Sequence, residues 1–225
     1  MKTLIIGAGQ IGKSLRDVLI YNYPVYLVDK DETGNSEYDI IHICFPYFKG
    51  FEDEVRKYQD WYKPKFTVVH STVPVGTCTK VGAIHSPVIG IHPFLEESLK
   101  TFVKYLGGPK AGEVADYFRR AGMRVYVTDK SETTELMKIL DTTFYGICVE
   151  YAKDVKQQCQ RFNVPYEMWT LWIANYNEGY EKLGRKEYLR PNLVPISKKI
   201  GGHCVLPNCD LLETKFTDIL KKLNY

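Results

Sequence analysis

The chain holds no apolar run long enough to cross a bilayer, so these residues supply no helical membrane span. Nor is one sign of charge in surplus: 30 Lys and Arg stand against 27 Asp and Glu, a formal net charge of +3. Basic residues are dispersed apart from short pairs such as Lys198-Lys199 and Lys221-Lys222, which excludes an electrostatic footprint for nucleic acid. No signal-like segment precedes the first core-like run, Leu4-Ile5-Ile6, and a cytoplasmic location is expected. The six cysteines (Cys44, Cys78, Cys148, Cys159, Cys204 and Cys209) lack the short spacings of a disulfide framework, so free thiols in a reducing compartment are expected. No second ligand pair is spaced to make a zinc site with His203, Cys204 and Cys209, and no metal is expected. Repeats and low-complexity segments are also missing. What remains is 44% hydrophobic and 25% charged, the balance of an ordinary globular protein. At 225 residues it has room for one large domain or one and a half smaller ones.

The strongest positive signal lies at the start. The apolar run Leu4-Ile5-Ile6 leads into Gly7-Ala8-Gly9-Gln10-Ile11-Gly12, a helix-like stretch with Leu15, Val18 and Leu19 follows, and a second apolar run, Val25-Tyr-Leu-Val, stops at Asp29. Gly7 permits the tight turn, Gly9 lets backbone approach a pyrophosphate, and Gly12 lets the helix pack close to the strand. The helix N-terminus offers its N–H groups to phosphate. Asp29 stands where a carboxylate accepts hydrogen bonds from ribose hydroxyls and repels a 2′-phosphate, which favours NAD over NADP. Gln10 and Ile11 inside the loop and Lys30 after the acid join the expected cofactor contacts. So do Phe45-Pro46 and Ser71-Thr72, which follow the next two strand-like runs.

Those runs are Asp39–Phe45 and Phe66–His70, with Arg124–Thr128 as the last, and helical spacing covers Phe51–Tyr62 and Ala111–Ala121. Strands alternating with helices predict an α/β domain built on a mostly parallel sheet. Only Lys30–Tyr38 join the second strand to the next, too few for a helix, a strand and another helix. The Rossmann-type sheet is therefore expected in abridged form, with one strand missing. After Thr128 the pattern becomes helical. Leu136, Leu140, Phe144, Ile147, Tyr151 and Val155 predict a helix from Ser131 or Thr133 to about Arg161. A second helix from Pro165 carries Trp169, Trp172, Ile173 and Tyr176, an aromatic stripe for a core or a dimer contact. Residues 180–210 look like loop, and Leu211–Leu223 like a terminal helix. The expected organisation is a dinucleotide-binding Rossmann-type domain over residues 1–130 and a smaller α-helical domain over 131–225.

Three further motifs follow the glycine loop in order: His70-Ser-Thr-Val-Pro-Val-Gly-Thr77, Thr134-Glu-Leu-Met-Lys138-Ile-Leu-Asp-Thr-Thr-Phe144, and Gly201-Gly-His-Cys204-Val. Together they resemble the UDP-glucose/GDP-mannose dehydrogenase family, over its N-terminal and middle domains. Its C-terminal nucleotide-sugar-binding domain has no counterpart in these residues. The resemblance implies that Cys204 is a nucleophile. In that family such a cysteine attacks the aldehyde left by a first hydride transfer to NAD, and a second transfer leaves a thioester for water to hydrolyse. It also implies that the Lys138 ammonium stabilises oxyanion character and that Thr72 lies beside the nicotinamide. The corresponding helix of the family lies at a dimer interface, so a homodimer through residues 131–180 is expected.

The departures are specific. Thr142 stands where the family has asparagine, a helical turn beyond the lysine. Val88, after Ser86-Pro87, stands where the family has the glutamate of the hydrolysis step, and it cannot act as acid or base. The loop after Cys204 is one residue longer than the family spacing, and Asp210 is the counterpart of the family aspartate. A competing resemblance comes from Val88-Ile-Gly-Ile-His92-Pro-Phe, which is similar to a segment of prephenate dehydrogenases. There His92 would polarise a substrate hydroxyl, against the alternative of a core histidine bonded to backbone. The expected function is oxidation of an alcohol on a sugar, nucleotide sugar or related small molecule. The alternative is an NAD-binding sensor or partner subunit with lost or narrowed catalysis.

Overall fold

The computed structural model describes residues 1–29, 37–202 and 204–223. They form two compact units, Met1–Ile139 and Leu140–Tyr225.

The first unit holds β1 (Thr3–Ile6), α1 (Gln10–Leu19), β2 (Val25–Val28), β3 (Ile40–Ile43), α2 (Phe51–Tyr62), β4 (Phe66–Val69), α3 (Thr77–Lys80), β5 (Ile84–His85), α4 (Leu95–Thr101), β6 (Val103–Gly107), α5 (Ala111–Arg120) and β7 (Arg124–Thr128). It ends within α6 (Ser131–Arg161). The seven strands make one sheet in the order β2-β1-β3-β4-β5-β6-β7. Strands β1 to β5 pair in parallel, β6 turns antiparallel at the His85↔Gly107 pair, and β7 follows β6 in parallel. The sheet is thus mostly parallel as expected, while the connection in which a strand was expected to be missing falls largely on residues 30–36, outside the described residues. Strands β2 and β7 are its edges, and the described residues between β2 and β3 form no helix or strand.

Every residue of β1, β3 and β4 is buried, as a strand covered on both faces requires. Alternation sends Ile5, Ile40, Val68, Ile84 and Leu106 to a face covered by α1, α4 and α5. Leu4, Ile6, Ile41, Ile43 and Val69 meet Phe51, Val55 and Tyr58 of α2 on the other. Helix α2 forms where its spacing predicts: Gly50 enters it at φ 99°, and Glu52, Asp53 and Glu54 favour its positive N-terminal end.

The second unit comprises α6 from Leu140, α7 (Tyr166–Lys182), a 3-10 turn at Lys186–Tyr188, α8 (Leu206–Cys209) and α9 (Lys215–Leu223). Helix α7 starts one residue after the expected Pro165, whereas α9 starts four residues after the expected Leu211. The stretch expected to be loop contains the turn and α8. A small core joins Val149, Ile200, Val205, Cys209 and Leu220. Gly146 makes it possible, because a Cβ there would lie 2.6 Å from Val205 and 2.5 Å from Leu220. Much of the apolar surface of α6 and α7 stays outward: Phe144, Tyr151, Leu171 and Trp172 are all exposed. Among the described residues no helix is long and apolar enough to cross a membrane.

Candidate functional site

In a parallel sheet, ligands gather beyond the strand C-termini, at the point where the chain leaves one strand in one direction and the next in the other. Here that point lies between β1 and β3, since β2 falls on one side of β1 and β3 on the other. The glycine loop leaves β1 at this place. Gly7 adopts φ +108°, and a Cβ on it would lie 2.9 Å from the backbone of Cys44 and of Phe45. On Gly12 a Cβ would lie 2.0 Å from the Gly7 carbonyl oxygen. These two glycines are demanded by the protein's own packing. Gly9 is different: nothing lies within 4 Å of where its Cβ would be. The Gly9 side of the loop therefore faces open space. Gly9 is also the N-cap of α1 and supplies no capping side chain. The first-turn N–H groups of Gln10, Ile11 and Gly12, which have no intrahelical acceptor, are left for an anion.

Asp29 ends β2 next door. It is exposed, and its Oδ1 accepts the Ala8 N–H at 3.4 Å, so the acid is tied to the glycine loop. Lys30 lies outside the described residues. Phe45 is buried and Pro46 exposed at the end of β3, and the Ser71 hydroxyl donates to the Phe45 carbonyl, joining the ends of β3 and β4. Half-buried Thr72 follows. The loop 71–78 is fastened from the other side by a residue absent from the sequence-based set. The buried Glu135 carboxylate accepts Gly76 N–H at 2.6 Å and Cys78 N–H at 2.8 Å. Burial raises its pKa and these two N–H groups oppose the rise. Glu135 stands three residues before Lys138 inside the motif already singled out, and that spacing was the available signal.

Lys138 belongs to the same face of α6. Ser131, Thr134, Glu135 and Lys138 recur at helical spacing, and the first three are buried. Gly107 of β6 makes room for this turn, since a Cβ there would lie 2.6 Å from Thr134 Oγ1. Thr134 in turn meets His85 Nδ1 at 2.8 Å, while His85 Nε2 reaches the Ser71 carbonyl at 3.1 Å. Burial pushes His85 down to about 3; the Ser71 carbonyl opposes this, and the ammonium groups of Lys104 and Lys138 reinforce it. The first unit thus gathers the glycine loop, Asp29, Phe45-Pro46, Ser71-Thr72 and Lys138 around the C-terminal edge of β1 to β5.

The other residues of the expected site belong to the second unit. Cys204 is exposed and its thiol is free. Thr142 is buried, and Asn208 Nδ2 approaches its hydroxyl at 3.4 Å. Asp210 is engaged by Lys221 at 2.7 Å. Two readings of the 86–94 segment are corrected or sharpened. His92 is exposed, so it is not the core histidine that the alternative supposed; His42, His70 and His85 fill that role. Val88 packs against the apolar core of the first unit. His203 lies outside the described residues. Among the described residues no group of His, Cys, Asp or Glu side chains is placed to hold a metal ion.

No protein-family model and no curated protein sequence matches the chain. Solved structures do. The chain is similar to a UDP-D-ManNAc dehydrogenase from Pyrococcus horikoshii, with a TM-score of 0.73 at 16% identity, over 100% of this chain and 68% of that one. A UDP-glucose dehydrogenase from Pyrobaculum islandicum gives 0.74 at 15%, over 100% and 68%. A 3-hydroxyisobutyrate dehydrogenase from Mycobacterium tuberculosis gives 0.72 at 12%, over 99% and 92%. The fold is therefore one shared by UDP-sugar and hydroxy-acid dehydrogenases. The chain spans about two thirds of the length of the two UDP-sugar enzymes.

Proposed function

We propose that this chain is an NAD-dependent oxidoreductase acting on an alcohol of a sugar, a nucleotide sugar or a related small molecule. The carrying observation is the split among its loop glycines. Gly7 and Gly12 are required by internal contacts, while Gly9 faces open space at an uncapped helix N-terminus. That is the provision a pyrophosphate needs. Asp29, fixed at the loop, suits ribose hydroxyls and disfavours a 2′-phosphate. NAD, when bound, supplies the hydride acceptor.

The chain's own residues do the rest. Ser71 and Glu135 hold the loop that presents Thr72. Lys138, with its ammonium, stabilises negative charge on the substrate oxygen as the alcohol is oxidised. Cys204, exposed on its loop, serves as nucleophile toward the aldehyde, with Thr142 and Asp210 in support. The protein works as a homodimer in the cytoplasm, its exposed α6–α7 surface covered by a second copy.

One observation favours a second reading, an NAD-binding subunit without turnover. Val88 contributes to the core where hydrolysis would need a carboxylate. Calorimetric titration with NAD and NADP, followed by assay of NADH formation on UDP-sugars, free sugars and small alcohols, separates the two. Tight NAD binding with turnover supports the enzyme, and binding alone supports the subunit. Equal affinity for both cofactors overturns the assignment of Asp29.

A further inference from the structure

The α5 face of the sheet is interrupted by a polar row. Thr3 on β1, His42 on β3, His70 after β4, Ser86 after β5 and Lys104 on β6 come from five neighbouring strands, and all are buried. A fully covered sheet ordinarily carries only apolar residues at such positions. Tyr117 of α5 joins the row, and contacts run along it without a gap. Lys104 Nζ meets the carbonyls of Ser86 at 2.8 Å and Pro87 at 3.2 Å, and His70 Nδ1 at 3.1 Å. His70 Nε2 meets His42 Nδ1 at 2.9 Å, His42 Nε2 meets the Tyr117 hydroxyl at 3.1 Å, and that hydroxyl meets Thr3 Oγ1 at 3.0 Å.

Donor counting fixes the direction of this wire. An ammonium has three N–H groups and no lone pair. With Lys104 charged, both carbonyls and His70 Nδ1 accept from it, and the shared ammonium holds the Ser86 oxygen and His70 Nδ1, two acceptors 2.8 Å apart. His70 then donates from Nε2 to His42 Nδ1, and His42 donates from Nε2 to Tyr117. Tyr117 donates to Thr3, and Thr3 to the Met1 carbonyl at 3.3 Å. Every donor is used once. With Lys104 as a neutral amine, its two N–H groups serve the carbonyls and its lone pair faces His70. His70 now donates from Nδ1, to that lone pair and to the Ser86 carbonyl at 2.8 Å. Its Nε2 accepts from His42 Nδ1, whose Nε2 accepts from Tyr117, whose oxygen accepts from Thr3. The chain of contacts from Lys104 through His70, His42 and Tyr117 to Thr3 persists with donor and acceptor exchanged, while the Ser86 carbonyl takes a bond from His70 only in the neutral state and the Met1 carbonyl one from Thr3 only in the charged state.

We propose that Lys104, His70, His42, Tyr117 and Thr3 form a two-state proton wire, whose direction reports the charge on Lys104. The switch is balanced. Four protons each move across one hydrogen bond, from Lys104 to His70, His70 to His42, His42 to Tyr117 and Tyr117 to Thr3, and the Thr3 hydroxyl proton that had pointed at the Met1 carbonyl leaves to solvent, so both imidazoles stay neutral and change tautomer together.

The surroundings suit a switch near neutrality. The titratable and charged groups facing the wire are Tyr23, stacked on Tyr117, Cys44 after β3, His85 from β5 and Lys138 from α6, beside its own members. Lys104 forms no ion pair with a carboxylate among the described residues. Burial brings Lys104 down to about 7; Cys44 pulls it upward, and repulsion from Lys138 adds a smaller downward push. Burial likewise drives His42 to about 3, so its ring stays neutral on both sides of the switch.

The test is long-range 1H–15N NMR of the full chain carrying 15N-histidine, followed from about pH 5.5 to about pH 9. At the acid end His42 and His70 should both carry Nε2–H. At the alkaline end both should carry Nδ1–H, with one shared midpoint. His85, held to the Ser71 carbonyl, keeps its Nε2–H throughout. Tautomers that do not change, or rings that change at separate midpoints, overturn the proposal. Lys104→Met should hold both rings as Nδ1–H at every pH, and retention of Nε2–H in a folded variant also overturns it. If that variant does not fold, the unmodified protein's titration decides alone.

Discussion

The carboxylate of Glu135, on the second turn of α6, accepts the backbone N–H groups of Gly76 and Cys78 and closes the 71–78 loop against the sheet. Removing it leaves one buried and one half-buried donor without their partner. Glu135→Ala should lower unfolding free energy by about 1.5–3 kcal/mol. Glu135→Gln, which places an amide N–H against a backbone N–H, should recover only part of the loss. Urea denaturation checks both. Gln matching the wild type would mean that the charge contributes nothing to the loop.

The glycine loop predicts a separation of stability from binding. Gly9→Ala places a methyl group in open space and should change stability by no more than about 1 kcal/mol, yet weaken NAD binding at least tenfold. Gly12→Ala drives a Cβ into the Gly7 carbonyl and should depress the melting temperature by itself. Calorimetry and thermal unfolding read the two effects independently. Unchanged NAD affinity in Gly9→Ala would remove the pyrophosphate from this loop.

Acid should destabilise the protein. Burial, the main cause for each, holds His42 and His85 at about 3 and His70 well below its usual value. In the unfolded chain each takes up a proton as pH falls through about 6.5, while the folded state does not. The unfolded state therefore binds more protons, and stability present above about pH 6.5 is lost below it, by about 1.4 kcal/mol per pH unit for each histidine. Urea unfolding at about pH 7.5 and about pH 5.5 measures the slope, which His42→Phe should reduce. A flat profile contradicts neutral burial.

Exposure singles out one thiol. Cys204 is exposed while Cys44, Cys78 and Cys209 are buried, so iodoacetamide should label Cys204 ahead of those three in the native protein. On any active substrate Cys204→Ser should reduce NADH formation by about 10³-fold or more. With Val88 in place of a carboxylate, an adduct on Cys204 should accumulate or the product should leave as an aldehyde, both visible by mass spectrometry. Unchanged turnover in Cys204→Ser would exclude the cysteine mechanism and leave His92 to be tested.

A second copy of the chain should cover α6 and α7. Trp172 is 68% exposed and Leu171 60%, a density of apolar surface that a lone molecule rarely leaves open. Light scattering at tens of micromolar should give a dimer, and Trp172→Glu should give a monomer. A dimer that survives this charge would move the interface elsewhere.

Legibility in the sequence followed element length and local pattern. Helix α2 was readable to both ends and α6 to about its last residue, its start left between Ser131 and Thr133, because Phe51–Tyr62 and Ser131–Arg161 keep helical spacing. Strand β5 has only two residues, too short to register, and β6 places Lys104 where a buried strand should be apolar. The reversal of direction between them was hidden for the same reason. The glycine loop was legible because its roles are local to one turn. Glu135 was not, since its partners lie 57 and 59 residues away. His42 and His70 read as parts of apolar runs, and their meaning needs residues from four other elements.

The polar row also bears on how this sequence can change over generations. Replacing any one of Thr3, His42, His70, Lys104 or Tyr117 alone strands the hydrogen-bonding atom beside it, at a cost of about 1–3 kcal/mol, which is a large share of a typical domain's margin. Exchanging several members at once for apolar residues of similar volume carries no such penalty. The row should therefore be inherited as a block. Descendants of this chain would keep it entire or lose it together, with few viable genotypes in between.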